Sequence, residues 1–108
     1  MRSALEDSLR PRRILNYLVA PTSEARAKGD PALKRALRVF VEDYGEAGAI
    51  ARLTRGCSFT GFGATVEASV HDLMQAFFHD YRFYEVTPES ALTGDALAAK
   101  KMLQSLLA

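Results

Sequence analysis

Apolar positions along this chain recur mostly at spacings of three and four, and stretches that alternate every second residue are almost absent. The pattern predicts helices separated by Pro and Gly. A first helix reads from Pro11, a favoured first helical position, to Val19, with Ile14, Leu15, Leu18 and Val19 on its apolar side and Pro21 ending it. Thr22 to Lys28 reads as a short helical turn closed by Gly29. Asp30 and Pro31 then form the strongest start signal, an N-cap acceptor followed by proline, for a helix to about Tyr44. Its stripe is Leu33, Leu37, Phe40, Val41 and Tyr44, and Gly45 supplies a left-handed stop. Glu46 to Arg55 resumes the helical pattern with Ala47, Ile50, Ala51 and Leu53.

The segment from Cys57 to Gly63 has no helical grammar and reads as an aromatic loop. Beyond it, Thr65 to Arg82 is the longest helix, with Val66, Val70, Leu73, Met74, Phe77 and Tyr81 on one face and Glu67, His71, Gln75, His79 and Arg82 on the other. Thr87, Pro88 and Glu89 cap a short turn, and Asp95 opens a last helix through Leu97, Met102, Leu103, Leu106 and Leu107. The expected architecture is all-α: one compact domain over residues 1–108, built as a bundle of four to five helices and completed by dimerisation. Its first ten residues are expected to fray, because Pro11 interrupts the helix that Ser3 and Glu6 would cap.

Composition keeps the chain in the globular class, with 48% apolar and 25% charged residues. The absence of a secretory leader pattern or a long apolar run points to a cytoplasmic protein, and the richness in Ala, Leu and Arg to a bacterial or phage one. Cys57 is the single cysteine, which excludes an internal disulfide and a paired-cysteine metal site. Net charge is +1, yet residues 1–40 hold nine Lys or Arg against four acids, while residues 41–108 hold five against nine. Such asymmetry points to an acidic partner for the basic third, although solvated helix faces produce it as well.

Candidate chemistry is sparse, and no cofactor, metal or enzyme is expected. His71 and His79 stand two turns apart on one helix, too far to share an ion. Cys57 follows a helix C-terminus, the wrong dipole end for a thiolate. Gly61-Phe62-Gly63 lacks the flanking strand and Lys of a phosphate loop. What remains is binding. The leading expectation is a small regulatory or inhibitory adaptor, a homodimer that occludes a protein partner through an apolar helix face and the aromatic loop, with Phe59, Phe62, Phe78 and Tyr81 as anchors. The rival is a nucleic-acid-binding transcriptional regulator that sets Arg10, Arg12, Arg13, Arg35, Arg38, Arg52 and Arg55 against phosphate, with residues 31–55 as a helix-turn-helix.

Overall fold

A computed structural model of the chain describes residues 10–21, 28–53 and 58–107. Four strands form one antiparallel sheet in sequence order: β1 (Arg13–Val19), β2 (Leu37–Asp43), β3 (Ala49–Leu53) and β4 (Phe59–Gly63). Two helices follow, α1 (Val66–Val86) and α2 (Gly94–Leu106), with short 3-10 turns at Gly45–Ala47 and Glu89–Ala91. The protein is therefore α+β, and the expected all-α bundle is overturned.

Strand parity explains the sheet. Leu37, Val39 and Val41 of β2, Ala49, Ala51 and Leu53 of β3, and Phe59 of β4 are buried on one face, and Val19 joins them from β1. Between β2 and β3 the chain turns through Gly45 (φ 68°) and Gly48 (φ 105°), left-handed conformations that glycine adopts without strain. Asp43 Oδ1 accepts from the Gly45 N–H at 2.9 Å, and Gly48 O accepts from the Tyr44 N–H at 2.8 Å, closing that turn.

Helix α1 covers the inner face. Thr65 Oγ1 caps it by accepting from the Ala68 N–H at 3.1 Å. Its buried side chains Val66, Val70, Leu73, Met74, Phe77 and Phe78 complete the core. The Phe77 ring sits 5.6 Å from that of Phe59 and 5.2 Å, edge-on, from that of Phe78. Contact between α1 and β4 is close because β4 carries Gly61 and Gly63 on this face. A Cβ on Gly61 would lie 2.2 Å from the Ser69 carbonyl oxygen, and one on Gly63 would lie 2.5 Å from the Ser69 nitrogen. Ser69 is fully buried, and its hydroxyl donates back to Val66 O at 2.7 Å.

Helix α2, capped by Thr93 Oγ1, brings Leu103 and Leu107 into the core. Leu107 bridges to Leu33, and the Lys34 N–H donates to Leu106 O at 2.9 Å, so the chain end ties down the segment that enters β2. The two-layer arrangement is only 18 Å thick in its shortest dimension.

Three expected helices become strands. The span 11–19 contains β1, the span 31–44 ends in β2, and 46–55 contains β3, so the proposed helix-turn-helix is instead an antiparallel hairpin. Asp30 caps no helix; its Oδ2 accepts from Arg82 Nη1 at 2.8 Å and ties this segment to α1. The expected aromatic loop contains β4, whereas the long helix and the last helix are present, the first running to Val86 rather than Arg82 and the last capped by Thr93 rather than opened by Asp95. The turn expected from Thr22 to Lys28 and the fraying expected of the first ten residues fall on residues 22–27 and 1–9, which lie outside the described residues.

Candidate functional site

Each strand turns every second side chain away from α1, and no described element covers that outer face. Its rows follow from the register: Ile14, Glu42, Ile50 and Phe62 face one another across the four strands, with Asn16, Phe40, Arg52 and Thr60 in the next row and Leu18 opposite Arg38 in a third. The apolar members are open to solvent, at 56% for Ile14, 61% for Leu18, 43% for Phe40 and 63% for Phe62. A shallow depression of about 480 Å³ lies on this face, lined mainly by Asn16, Leu18, Arg38, Phe40 and Arg52.

Glu42 is the one acid in these rows. Its Oε1 accepts from Arg52 Nε at 2.8 Å and its Oε2 from the Tyr44 hydroxyl at 3.0 Å. The Arg52 bond, then the Tyr44 bond, hold the carboxyl below the usual range, and the same hydrogen bond, donated to Glu42, raises the Tyr44 hydroxyl in turn. Asp43, beside it at the end of β2, is likewise lowered, first by Arg13 Nε at 2.6 Å and then by the Gly45 N–H. Arg38 has no carboxylate partner among the described residues.

The four expected anchors are dispersed. Phe59 and Phe78 are buried in the core, and Tyr81 is half-buried against it, where burial first and the Glu85 charge second raise its hydroxyl pKa. Phe62 alone of the four points outward from the sheet. The cations are dispersed too. Arg10 is exposed ahead of β1, Arg12 lies along the Gly45 backbone, Arg13 pairs with Asp43, and Arg35 is exposed before β2. Arg38 and Arg52 share the outer face, and Arg55 lies outside the described residues. His71 and His79 are exposed on α1, and no group of three or more potential ligands gathers to hold a metal ion among the described residues. Cys57 lies outside them. Among the described residues no helix is long and apolar enough to cross a membrane.

Sequence reasoning missed Ile14, Leu18 and Phe40 as surface residues, having placed them on helical core stripes. The available signal was parity: Ile14 and Leu18 alternate with Leu15, Tyr17 and Val19, and Phe40 sits between Val39 and Val41. The chain matches no protein-family model, curated protein or solved structure to which it was compared. The outer face is therefore read from its own chemistry.

Proposed function

We propose that this protein is a binding module that docks a protein partner on the outer face of its sheet and acts by occupancy, withholding the covered surface from other ligands. One observation carries this reading: of the six large apolar side chains exposed among the described residues, Ile14, Leu18, Phe40 and Phe62 lie together on that one face. Clustered exposed apolar area marks interaction sites, whereas scattered single residues do not. Aromatic anchors beside Arg form the usual centre of an interface, and the charges of Arg38, Arg52 and Glu42 would orient what docks there.

The test is affinity purification of the tagged protein from its source cells. Phe40→Ser with Phe62→Ser is expected to remove the co-purifying partner, while Glu67→Ser with His71→Ser, on the exposed side of α1, retains it. Retention by the sheet variant would place docking elsewhere. A second reading has a specific observation behind it: Phe40 and Phe62 beside Arg38 and Arg52 on an open antiparallel sheet make a platform on which single-stranded bases can stack. Ile14, Leu18 and Ile50 favour the protein partner, since aliphatic side chains offer nothing to a phosphate backbone. Affinity for an oligonucleotide that falls steeply between about 50 and 200 mM salt would favour nucleic acid.

A further inference from the structure

We infer that a second copy of this chain occupies the outer face, packed sheet against sheet about a two-fold axis that runs along the row Asn16, Phe40, Arg52 and Thr60. The inference rests on the outer face being the docking surface, and it names one occupant.

Charge placement along β2 selects that axis. Arg38 and Glu42 stand on either side of Phe40 on the same face, each about 6.6 Å away along the strand. A two-fold axis running along β2 itself would set Arg38 over Arg38 of the copy and Glu42 over its equivalent, which repels twice. An axis across the strands reverses β2 over β2. Arg38 then meets Glu42 of the copy, Phe40 meets Phe40, and Ile14 meets Leu18. Every exposed apolar side chain of β1 and β2 thus finds an apolar neighbour, and Arg38, which has no carboxylate partner among the described residues, finds one in the copy.

Glu42 has capacity for the additional donor. Each of its oxygens already accepts one hydrogen bond, from Arg52 and from Tyr44, and a carboxylate oxygen has room for two. Arg52 leans from the axial row toward Glu42 at 2.8 Å, which draws it away from its own equivalent in the copy. The resulting cluster alternates in sign: Arg52, Glu42, then Arg38 of the copy.

Size is consistent with a reversible pair. Four strands at about 4.8 Å spacing and some six residues of about 3.3 Å give a projected footprint near 400 Å². Corrugation raises the accessible area of such a footprint toward the roughly 800 Å² per partner of a standard interface. Twist in each sheet crosses the strands at about 30°, so contact concentrates at Phe40 and its flanking charges rather than at the corners. A dimer of this kind hides the surface a different partner would need. Self-association and partner binding are then mutually exclusive, and partner capture falls as protein concentration rises.

Sedimentation velocity over about 1 to 500 µM tests the arrangement, with circular dichroism and melting to verify that each variant folds. The expected result is a concentration-dependent monomer and dimer, abolished by Phe40→Asp and unchanged by Glu67→Ser. Arg38→Glu should weaken the dimer by about tenfold or more, and adding Glu42→Arg to it should restore most of that loss. A dimer indifferent to Phe40→Asp, or a charge swap without rescue, would overturn the two-fold arrangement. A protein monomeric throughout would overturn the second copy as occupant, as would a monomer that binds a thymidine oligonucleotide through this face. If that monomer still loses its cellular partner on Phe40→Ser with Phe62→Ser, the docking reading survives without the copy; if it keeps the partner, both fall.

Discussion

At Gly61 and Gly63 the backbone of β4 lies against the backbone of α1, and no side chain larger than hydrogen fits between them. Gly61→Ala should cost about 2 to 3 kcal/mol, because the obstructing atoms belong to a helix backbone that cannot rotate aside. Gly94, at the start of α2, has nothing within 4 Å of its missing Cβ, and Gly94→Ala should stabilise by about 0.5 kcal/mol through the unfolded chain. Urea denaturation of the two variants should give shifts of opposite sign. Two carboxylates extend the residue-level account to acid. Glu42 and Asp43 have folded pKa values below their unfolded ones, so their stabilisation is fully present above the ordinary carboxylate range and is lost as pH falls through the depressed folded values. The melting midpoint should therefore decline below about pH 4. Arg52→Ala should raise the Glu42 titration midpoint, as followed by carboxyl carbon NMR; an unmoved midpoint would show that the Arg52 bond is not what holds the carboxyl low.

Among elements, α1 was legible because Thr65 caps it and its apolar residues keep a period near 3.6 over five turns. Helix α2 was legible from its leucines and the start signal near Asp95. The strands were obscured by the very residues that matter to the outer face. In β1, Ile14 and Leu18 stand outside while Leu15 and Val19 point inward, and apolar residues on both faces produce spacings of four that imitate a helix. Phe40 did the same for β2, joining Leu37 and Val41 in a false stripe that passed over Val39. In β3 the inner face is Ala49, Ala51 and Leu53, the first two with little preference for strands, and in β4 it is Phe59 followed by Gly61 and Gly63, so each strand has a single strongly apolar inner residue and the alternation is faint. A mutational contrast separates the two roles of aromatics. Phe78→Ala removes a fully buried ring and should cost about 3 to 5 kcal/mol, whereas Phe62→Ser should change unfolding stability by only about 0.5 kcal/mol while weakening docking. Equal losses in a denaturant titration would mean that Phe62 supports the fold rather than a partner.

Over the whole molecule, a single helix layer on a single sheet leaves half of the sheet's side chains outside the core. Burial on the inner face is complete enough to hold the fold, since Val39, Val41, Ala51, Leu73, Met74, Phe77 and Phe78 are fully enclosed and no buried polar side-chain atom among the described residues lacks a partner. The apolar side chains on the other face are thus spare to folding, which is why their chemistry points to binding. The two edges of the sheet differ as well. Along β4, Asp72 Oδ2 accepts the N–H of Phe62 at 2.9 Å, so a helix side chain occupies a hydrogen-bonding position that an incoming strand would need. The β1 edge carries no such plug among the described residues. Polymerisation by strand addition requires two open ends, one to receive and one to offer. With the Phe62 position of β4 already taken, a chain that recruits another through β1 offers the next one an obstructed edge, so growth along the hydrogen-bonding direction is disfavoured beyond a pair.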